Sequence, residues 1–398
     1  MDDPWLTLIG LGEDGPQGLT STAREALEAA EVVMGPPRHL ALLPELAAER
    51  IEWPVPFVDG LPLLVAQRGR RAVMLVSGDP FWFGAGRAVA RTLERGEWRA
   101  LPGPSTFSHA AARLGWPLED TPCLGLHAAP LTRLRPHLAP GQRALVLLRD
   151  GAAVAELTAW LTELGFGEST LHILEALGGP RERVRSTTAA ALTLTDIAHP
   201  VAVGLEVAGD GIAIPAASGR PDALFESDGQ LTRRPVRALT LSALAPQPGE
   251  HLWDIGLGAG SIAIEWLMSH PACTATGIEA DPERAARARR NADALGVDRL
   301  RIVQGRAPDA LRDLPKPDAV FIGGGLSEEM LRHLWTTLPP STRLVANAVT
   351  LESEALLTRW QSEVGGELMH IALSNVTPVG GKRAWKAAYP IVQWSVTR

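Results

Sequence analysis

Asp254, Gly256, Gly258, Gly260 and Glu279 are the residues whose types and spacing carry the clearest chemistry in this chain. His251 to Ile255 reads as a strand, and Gly256-Leu257-Gly258-Ala259-Gly260 reads as a tight loop. Ser261 to Met268 reads as a helix whose apolar positions 262, 263, 266 and 267 put one face on a sheet. Missing side chains let the loop backbone approach a ligand. The first amides of the helix are unpaired and carry partial positive charge, so a nucleotide-like ligand belongs at this end of the sheet. The next strand, Thr274 to Ile278, is closed by Glu279, whose carboxylate can accept from two ribose hydroxyls.

Three readings fit such a loop. A dinucleotide enzyme uses G-x-G-x-x-G, which requires a glycine at 261, and Ser261 stands there. The spacing G-x-G-x-G instead resembles the methyltransferase version of the fold, whose cofactor is S-adenosylmethionine. Asp254 suits that version, where it helps to hold the amino end of the methionine moiety. The third reading is a tight turn with no ligand.

The elements that must position these residues alternate along the chain. Trp5 to Ile9, Val73 to Val76, Ala144 to Leu148 and Val201 to Val207 read as strands of the first half. A helix capped by Thr20 or Ser21 runs to about Ala30, and another spans 152–164 and ends at Gly165. The prolines, glycines and small polar residues of Gly209 to Gln230 form a linker signature, which sets two domains, 1–210 and 211–398. In the second half, Asp281 caps a helix with Pro282 at its first position and Gly296 past its end. Strands 299–303, 318–322 and 343–349 and helices 326–338 and 351–364 follow. Strands near 369–376 and 387–396, with no helix between them, make an antiparallel edge. The fold class is α/β in both halves.

The bulk numbers exclude several classes. The formal net charge of −7 provides no global basic field for nucleic acid. Lys316, Lys382 and Lys386 are the only lysines among 38 basic residues, and the arginines are spread along the whole chain, as a codon bias would spread them. Cys123 and Cys273 fit neither a disulfide framework nor a metal-ligand spacing, so both are expected to be buried and reduced, with no metal bound. Met1-Asp2-Asp3-Pro4 lacks the basic start of a signal peptide, and no apolar run approaches the ~20 residues that span a bilayer. A cytoplasmic protein without membrane association is expected.

Further motifs carry a family resemblance. Leu231-Thr-Arg-Arg-Pro-Val-Arg237, Asp254 to Gly260, Gly305-Arg-Ala-Pro308 and Asp318-Ala-Val-Phe-Ile-Gly-Gly-Gly325 resemble the decarboxylating half of the precorrin-6Y C5,15-methyltransferases. Gly10-Leu-Gly12, Val76-Ser-Gly-Asp-Pro80 with Gly84, and Pro102-Gly-Pro-Ser-Thr106 resemble the tetrapyrrole-type methyltransferase half of the same family. The resemblance covers nearly the whole chain. It implies an N-terminal tetrapyrrole-methylase-type domain followed by a C-terminal Rossmann-like class I methyltransferase domain, with one S-adenosylmethionine in each. It implies conversion of precorrin-6B to precorrin-8 by methylation at carbons 5 and 15, with decarboxylation of the carbon-12 acetate. It also implies homo-oligomers.

Donor contacts carry over to Thr232, Gly256, Leu257, Gly258, Ala259, Gly260, Glu279 and Ala307, joined by Asp254, in the second domain. In the first they carry over to Gly78, Asp79, Ser105 and Thr106. Arg233 stands where a lysine is common and Pro235 where an acidic residue is usual, and the opening loop reads Gly12-Glu13-Asp14-Gly15 rather than Gly-Pro-Gly-Asp. For such a substrate, Arg233, Arg234, Arg237, Lys382, Arg383 and Lys386 are candidate carboxylate binders, each alternatively a solvated surface charge. His127 is a candidate proton carrier, alternatively a structural histidine. The same class of domain also modifies transfer RNA. A nicotinamide oxidoreductase and a non-catalytic binding protein are the remaining alternatives.

Overall fold

The computed structural model describes residues 4–398. Met1, Asp2 and Asp3, part of the stretch read for a signal peptide, lie outside the described residues. The chain divides into two compact units. One runs to Ala129 and resumes over His137–Ile212, and the other takes Pro130–Pro136 and Ala213–Arg398.

The first unit holds two sheets. Strands β1 (Leu6–Leu11), β2 (Val32–Gly35), β3 (Glu49–Glu52), β4 (Ala72–Ser77) and β5 (Trp98–Leu101) form a parallel sheet in the order β3-β2-β4-β1-β5. Every residue of β1 and β2 is buried, the continuous apolar pattern of strands covered on both faces. Strands β6 (Cys123–Gly125), β7 (Arg143–Leu148), β8 (Thr170–Glu175), β9 (Arg183–Thr188) and β10 (Val201–Glu206) form a second sheet in the order β6-β7-β10-β8-β9. It is antiparallel except where β6 meets β7. The expected helices occur at Ser21–Glu28, with the Thr20 side chain accepting from the Ala23 amide, and at Gly151–Glu163, capped by Asp150.

The second unit is a seven-stranded sheet. Strands β11 (His251–Ile255), β12 (Thr274–Glu279), β13 (Arg301–Gln304), β14 (Ala319–Ile322) and β15 (Arg343–Ala348) are parallel, while β19 (Ile391–Thr397) runs antiparallel between β15 and β16 (Glu367–Ile371). The order β13-β12-β11-β14-β15-β19-β16 reverses direction between β11 and β14, the position at which open α/β sheets leave a crevice beyond their strand ends. The C-terminal edge differs from the expected pair of strands. Between β16 and β19 the chain makes a separate hairpin, β17 (Ser374–Val379) with β18 (Lys382–Ala387), turned at Gly380-Gly381.

Gly209 to Gln230 is not a loose linker. Phe225 is buried in the core of the second unit, and Ile214, Leu224 and Leu231 pack against that core. Trp253 and Trp266 sit in the core as expected, their indole N–H groups donating to the carbonyls of Pro315 and Thr274. Cys273 is buried and free, whereas Cys123, at the start of edge strand β6, is free and only half-buried. Among the described residues no helix is long and apolar enough to cross a membrane.

Candidate active site

A cavity of about 670 Å³ opens at the C-terminal ends of β11, β12 and β14. Strand β11 delivers Gly256 to Gly260, and the helix Ser261–Ser269 leaves from Gly260. Gly256, Gly258 and Gly260 have φ of +75°, +56° and +79°, a region in which side chains are strained. At Gly256 the reason is also steric, because a Cβ there would lie 2.5 Å from the Gly324 nitrogen. The backbones of the loops after β11 and β14 therefore touch, and that contact forms the floor of the cavity. A volume of this size and a glycine cradle below exposed helix amides fit an adenosyl-type donor.

Two buried carboxylates shape the cradle. Glu279 ends β12 and accepts from the Gly258 amide at 2.8 Å and the Asp281 amide at 2.9 Å, one bond on each oxygen. Each oxygen keeps a further lone pair for a ligand hydroxyl. Asp254 is 1% exposed and accepts from the Ala263 amide at 3.0 Å. Burial, and to a smaller extent the neighbouring Glu279, push the Asp254 carboxyl up to about 7.

A buried ionic network supports the cavity wall from behind. Glu265, in the helix after the glycine loop, accepts from the amides of Gly219 and Arg220 at 2.7 and 2.9 Å. It also accepts from Arg237 Nε at 2.6 Å and from the Arg220 side chain at 3.4 Å. Arg237 donates in turn to the carbonyl of Thr232. The network pins the 219–232 segment, and with it the wall formed by Gln230, Leu231, Thr232 and Arg233, to the helix that carries the loop.

Of the expected donor residues in this unit, Thr232, Asp254, Gly256, Leu257, Gly258, Ala259, Glu279 and Ala307 all line the cavity, and Gly260 turns the chain into the helix. The basic candidates separate. Arg233 lines the cavity. Arg237 does not serve as a ligand-facing cation, because its side chain is wholly buried and paired with Glu265 and Asp222. Arg234 is exposed at the start of the helix Arg234–Leu244 and is absent from the cavity wall. Lys382, Arg383 and Lys386 lie on the exposed hairpin strand β18, also away from that wall.

Arg306 and Asn347 are among the cavity residues not anticipated. Arg306 lines the cavity, is exposed, and has no carboxylate partner among the described residues. Asn347, at the end of β15, donates to Thr240 and accepts from Gln393, a buried pair behind it. Arg306 stood within the quoted Gly305-Arg-Ala-Pro308 motif, so its position was readable; nothing local in the sequence distinguished Asn347.

In the first unit, three loops meet backbone to backbone at the ends of β1, β4 and β5. A Cβ on Gly10 would lie 1.8 Å from the Gly78 oxygen and 2.4 Å from the Gly103 nitrogen. Gly78 has φ +52°, and its carbonyl accepts from the Gly103 amide. Asp79 accepts from the Phe81 amide, and Ser105 caps the helix Thr106–Leu114 by accepting from Ser108. Gly78, Asp79, Ser105 and Thr106 are thus gathered at one sheet end. His127 is exposed, just past β6.

Family profiles match both parts of the chain. Residues 6–193 match one described as tetrapyrrole (corrin/porphyrin) methylases, and residues 223–398 match one described as a precorrin methyltransferase domain. A precorrin-6Y C(5,15)-methyltransferase [decarboxylating] of Sinorhizobium is 50% identical over 400 residues, covering 99% of this chain and 97% of that protein. The chain belongs to this family. It is a methyltransferase whose methyl donor is S-adenosylmethionine, and it couples methylation to decarboxylation in cobalamin biosynthesis. A cobalt-precorrin-6B C(15)-methyltransferase (decarboxylating) of Salmonella typhimurium is 30% identical over 166 residues, 40% of this chain and 85% of that protein. The crystal structure of the C-terminal domain of a precorrin-6Y C5,15-methyltransferase from Rhodobacter capsulatus is 49% identical, covers 46% of this chain and all of that chain, and aligns with a TM-score of 0.45.

Proposed function

We propose that the chain converts precorrin-6B to precorrin-8 with two donor sites, one in each of the domains 1–210 and 211–398. In this reading the first domain methylates carbon 5. The second methylates carbon 15 and removes the carboxyl group of the carbon-12 acetate as carbon dioxide, leaving a methyl group on the ring. The observation that carries the reading is the glycine cradle with Asp254 and Glu279 at the switch point of the second sheet, in a chain matched over its whole length by the two-domain family. That the shorter Salmonella protein is named for carbon 15 and for decarboxylation together supports placing those steps in one unit.

The donor supplies an electrophilic methyl group, and the acceptor is an electron-rich carbon of the macrocycle, so no protein nucleophile is needed. The residues bind and orient. The amides of Leu257, Gly258 and Gly260 are bonded within the protein, so those of Ala259 and Ser261 are the ones left for the donor, while Glu279 accepts from its ribose hydroxyls and Asp254 takes its ammonium end. Thr232 and Ala307 close the wall. In the first unit Gly78, Asp79, Ser105 and Thr106 do the corresponding work. Arg233 and Arg306, on the wall of the second cavity, hold substrate carboxylates, and alignment for in-line transfer supplies much of the rate.

Two expected results test the donor residues. Charge-assisted bonds to ribose hydroxyls contribute roughly 1.5–3 kcal/mol. Glu279→Ala should therefore weaken S-adenosylhomocysteine binding at the second site by about ten- to a hundredfold and leave the first site unchanged. Calorimetric titration of the full chain reads both sites, and an unchanged second affinity would remove Glu279 from the donor site.

Asp254 makes binding pH-dependent. Its folded pKa, raised by burial from the ordinary 3.8 to about 7, keeps a proton that the unfolded chain has released, so this group's contribution to stability falls as pH rises from 3.8 towards 7 and levels above. A bound ammonium favours the ionised carboxylate and expels that proton. Donor affinity should rise by up to about tenfold per pH unit below 7 and flatten above it. The binding enthalpy should vary with the ionisation enthalpy of the buffer, and Asp254→Asn should abolish both effects. A flat wild-type profile would contradict the assignment.

A further inference from the structure

Glu13 gathers charge at the sheet end of the first unit. It follows β1, is 8% exposed, and accepts from two arginines. One oxygen takes Arg38 Nη1, and the other takes Arg181 Nη2 at 3.0 Å. Arg38 sits in the turn after β2 and is used up: its other terminal nitrogen lies 2.9 Å from His39 Nε2 and donates to Ser77 Oγ at 3.0 Å. Ser77 ends β4 immediately before Gly78. Arg181 comes from the loop between β8 and β9, which approaches so closely that a Cβ on Gly179 would lie 2.6 Å from Glu13 Cβ. One carboxylate thus ties the loops after β1, β2 and β4 to a loop of the second sheet.

The charge at this cluster does not cancel. Two guanidiniums face one carboxylate, and burial, helped by Arg38, lowers the His39 pKa to about 3, so that imidazole is neutral. Glu182, beside Arg181, is committed to Arg113 at 2.5 Å. His199 also lies in the field of both arginines. Arg181 is 62% exposed, and its remaining nitrogens have no acceptor among the described residues. A guanidinium anchored by one nitrogen presents the rest of its fork in a fixed direction, which suits a carboxylate and lowers the ordering cost of binding one.

We propose that Arg181, oriented by Glu13, binds a side-chain carboxylate of the tetrapyrrole substrate in the first unit. This rests on the reading of that unit as a methylating one. Glu13 is then a positioning residue, and the Gly12-Glu13-Asp14-Gly15 opening loop, a departure from the usual pattern, is the anchor of the site.

The test uses the full chain with Arg181→Gln, Arg181→Lys and Glu13→Gln, each checked for an unchanged thermal transition. The readouts are S-adenosylhomocysteine binding by calorimetry and products from precorrin-6B by mass spectrometry. Arg181→Gln should raise the KM of the first unit's methylation by about ten- to a hundredfold with kcat little changed. The species that has gained one methyl group and lost carbon dioxide should accumulate. Arg181→Lys should recover part of the loss, and Glu13→Gln should raise KM in the same direction by less. Donor affinity should not move. An unchanged KM in Arg181→Gln would overturn the proposal and leave the cluster a structural clasp. A joint fall in donor affinity would overturn it by assigning the carboxylate to the donor. A wild-type chain that transfers only one methyl group would refute the underlying reading of the first unit, whatever stands at position 181.

Discussion

Gly256→Ala is expected to abolish methyl-donor binding in the second unit and to spare the first. Position 256 has φ +75°, which costs a side-chain-bearing residue roughly 1–2 kcal/mol in backbone strain alone. The larger effect is steric. The added methyl group would sit 2.5 Å from the Gly324 nitrogen and 2.6 Å from its Cα, so backbone has to move on one side or the other. No flexible side chain is there to yield. Either movement alters the floor of the cavity and tilts the amides that follow it. A loss of at least about a hundredfold in affinity is expected, which corresponds to ~2.7 kcal/mol. Titration of the full chain with S-adenosylhomocysteine should then report a single site where the wild type reports two. Two sites of unaltered affinity would show that the 323–325 loop is free to retreat and that the contact does not shape the cradle.

Glu265→Ala is expected to destabilise the second unit by about 3–5 kcal/mol. Glu265 and Arg237 are both wholly buried, and removing one member of such a pair leaves the other charged and unpaired away from water. Arg220 loses a partner as well, and the Gly219 and Arg220 amides lose their acceptor. Denaturant unfolding should show the transition of the second unit moving to lower midpoint while that of the first stays in place. Glu265→Gln, which keeps an acceptor for the amides and discards the charge, should fall between. A shift below about 1 kcal/mol for the alanine variant would mean that water reaches the arginines and that the wall at Thr232 is not held by this network.

Gly256 and Glu265 differ in how far the local sequence marks them. Gly256, Asp254 and Glu279 were legible because a strand, a glycine turn and a helix leave a local signal, and an acidic residue closing the next strand confirms the register. Glu265 carried a weaker signal. The apolar positions 262, 263, 266 and 267 mark one packing face and leave Glu265 unremarked, yet the helix is buried almost all round because the helix Arg234–Leu244 covers its other side. That burial is tertiary, and no periodicity within one helix reveals it. Arg237, a candidate either for carboxylate binding or for a solvated surface charge, is neither, for the same reason.

Lys382, Arg383 and Lys386 are exposed, in line with their alternative reading as solvated surface charges. Val379-Gly380-Gly381-Lys382 is a two-residue hairpin turn, and β17 and β18 pair across it in that register. The two strands read near 369–376 and 387–396 leave out this hairpin, whose second strand carries the exposed basic cluster. In the first unit, β9 was missed because an edge strand of Arg, Ser and Thr has no apolar face to show. Glu13 was noticed only as a departure from a motif. Its partners Arg38 and Arg181 are 25 and 168 residues away, a juxtaposition that the folded chain alone brings about.

The second unit alone is expected to couple methylation to decarboxylation. Mass spectrometry of the product formed when residues 211–398 are incubated with precorrin-6B and S-adenosylmethionine tests it most directly. The expected product has gained one methyl group and lost one carbon dioxide. A folded, donor-binding fragment whose product gains the methyl group and keeps the carboxyl group would contradict it, as would carbon dioxide release by residues 1–210 alone.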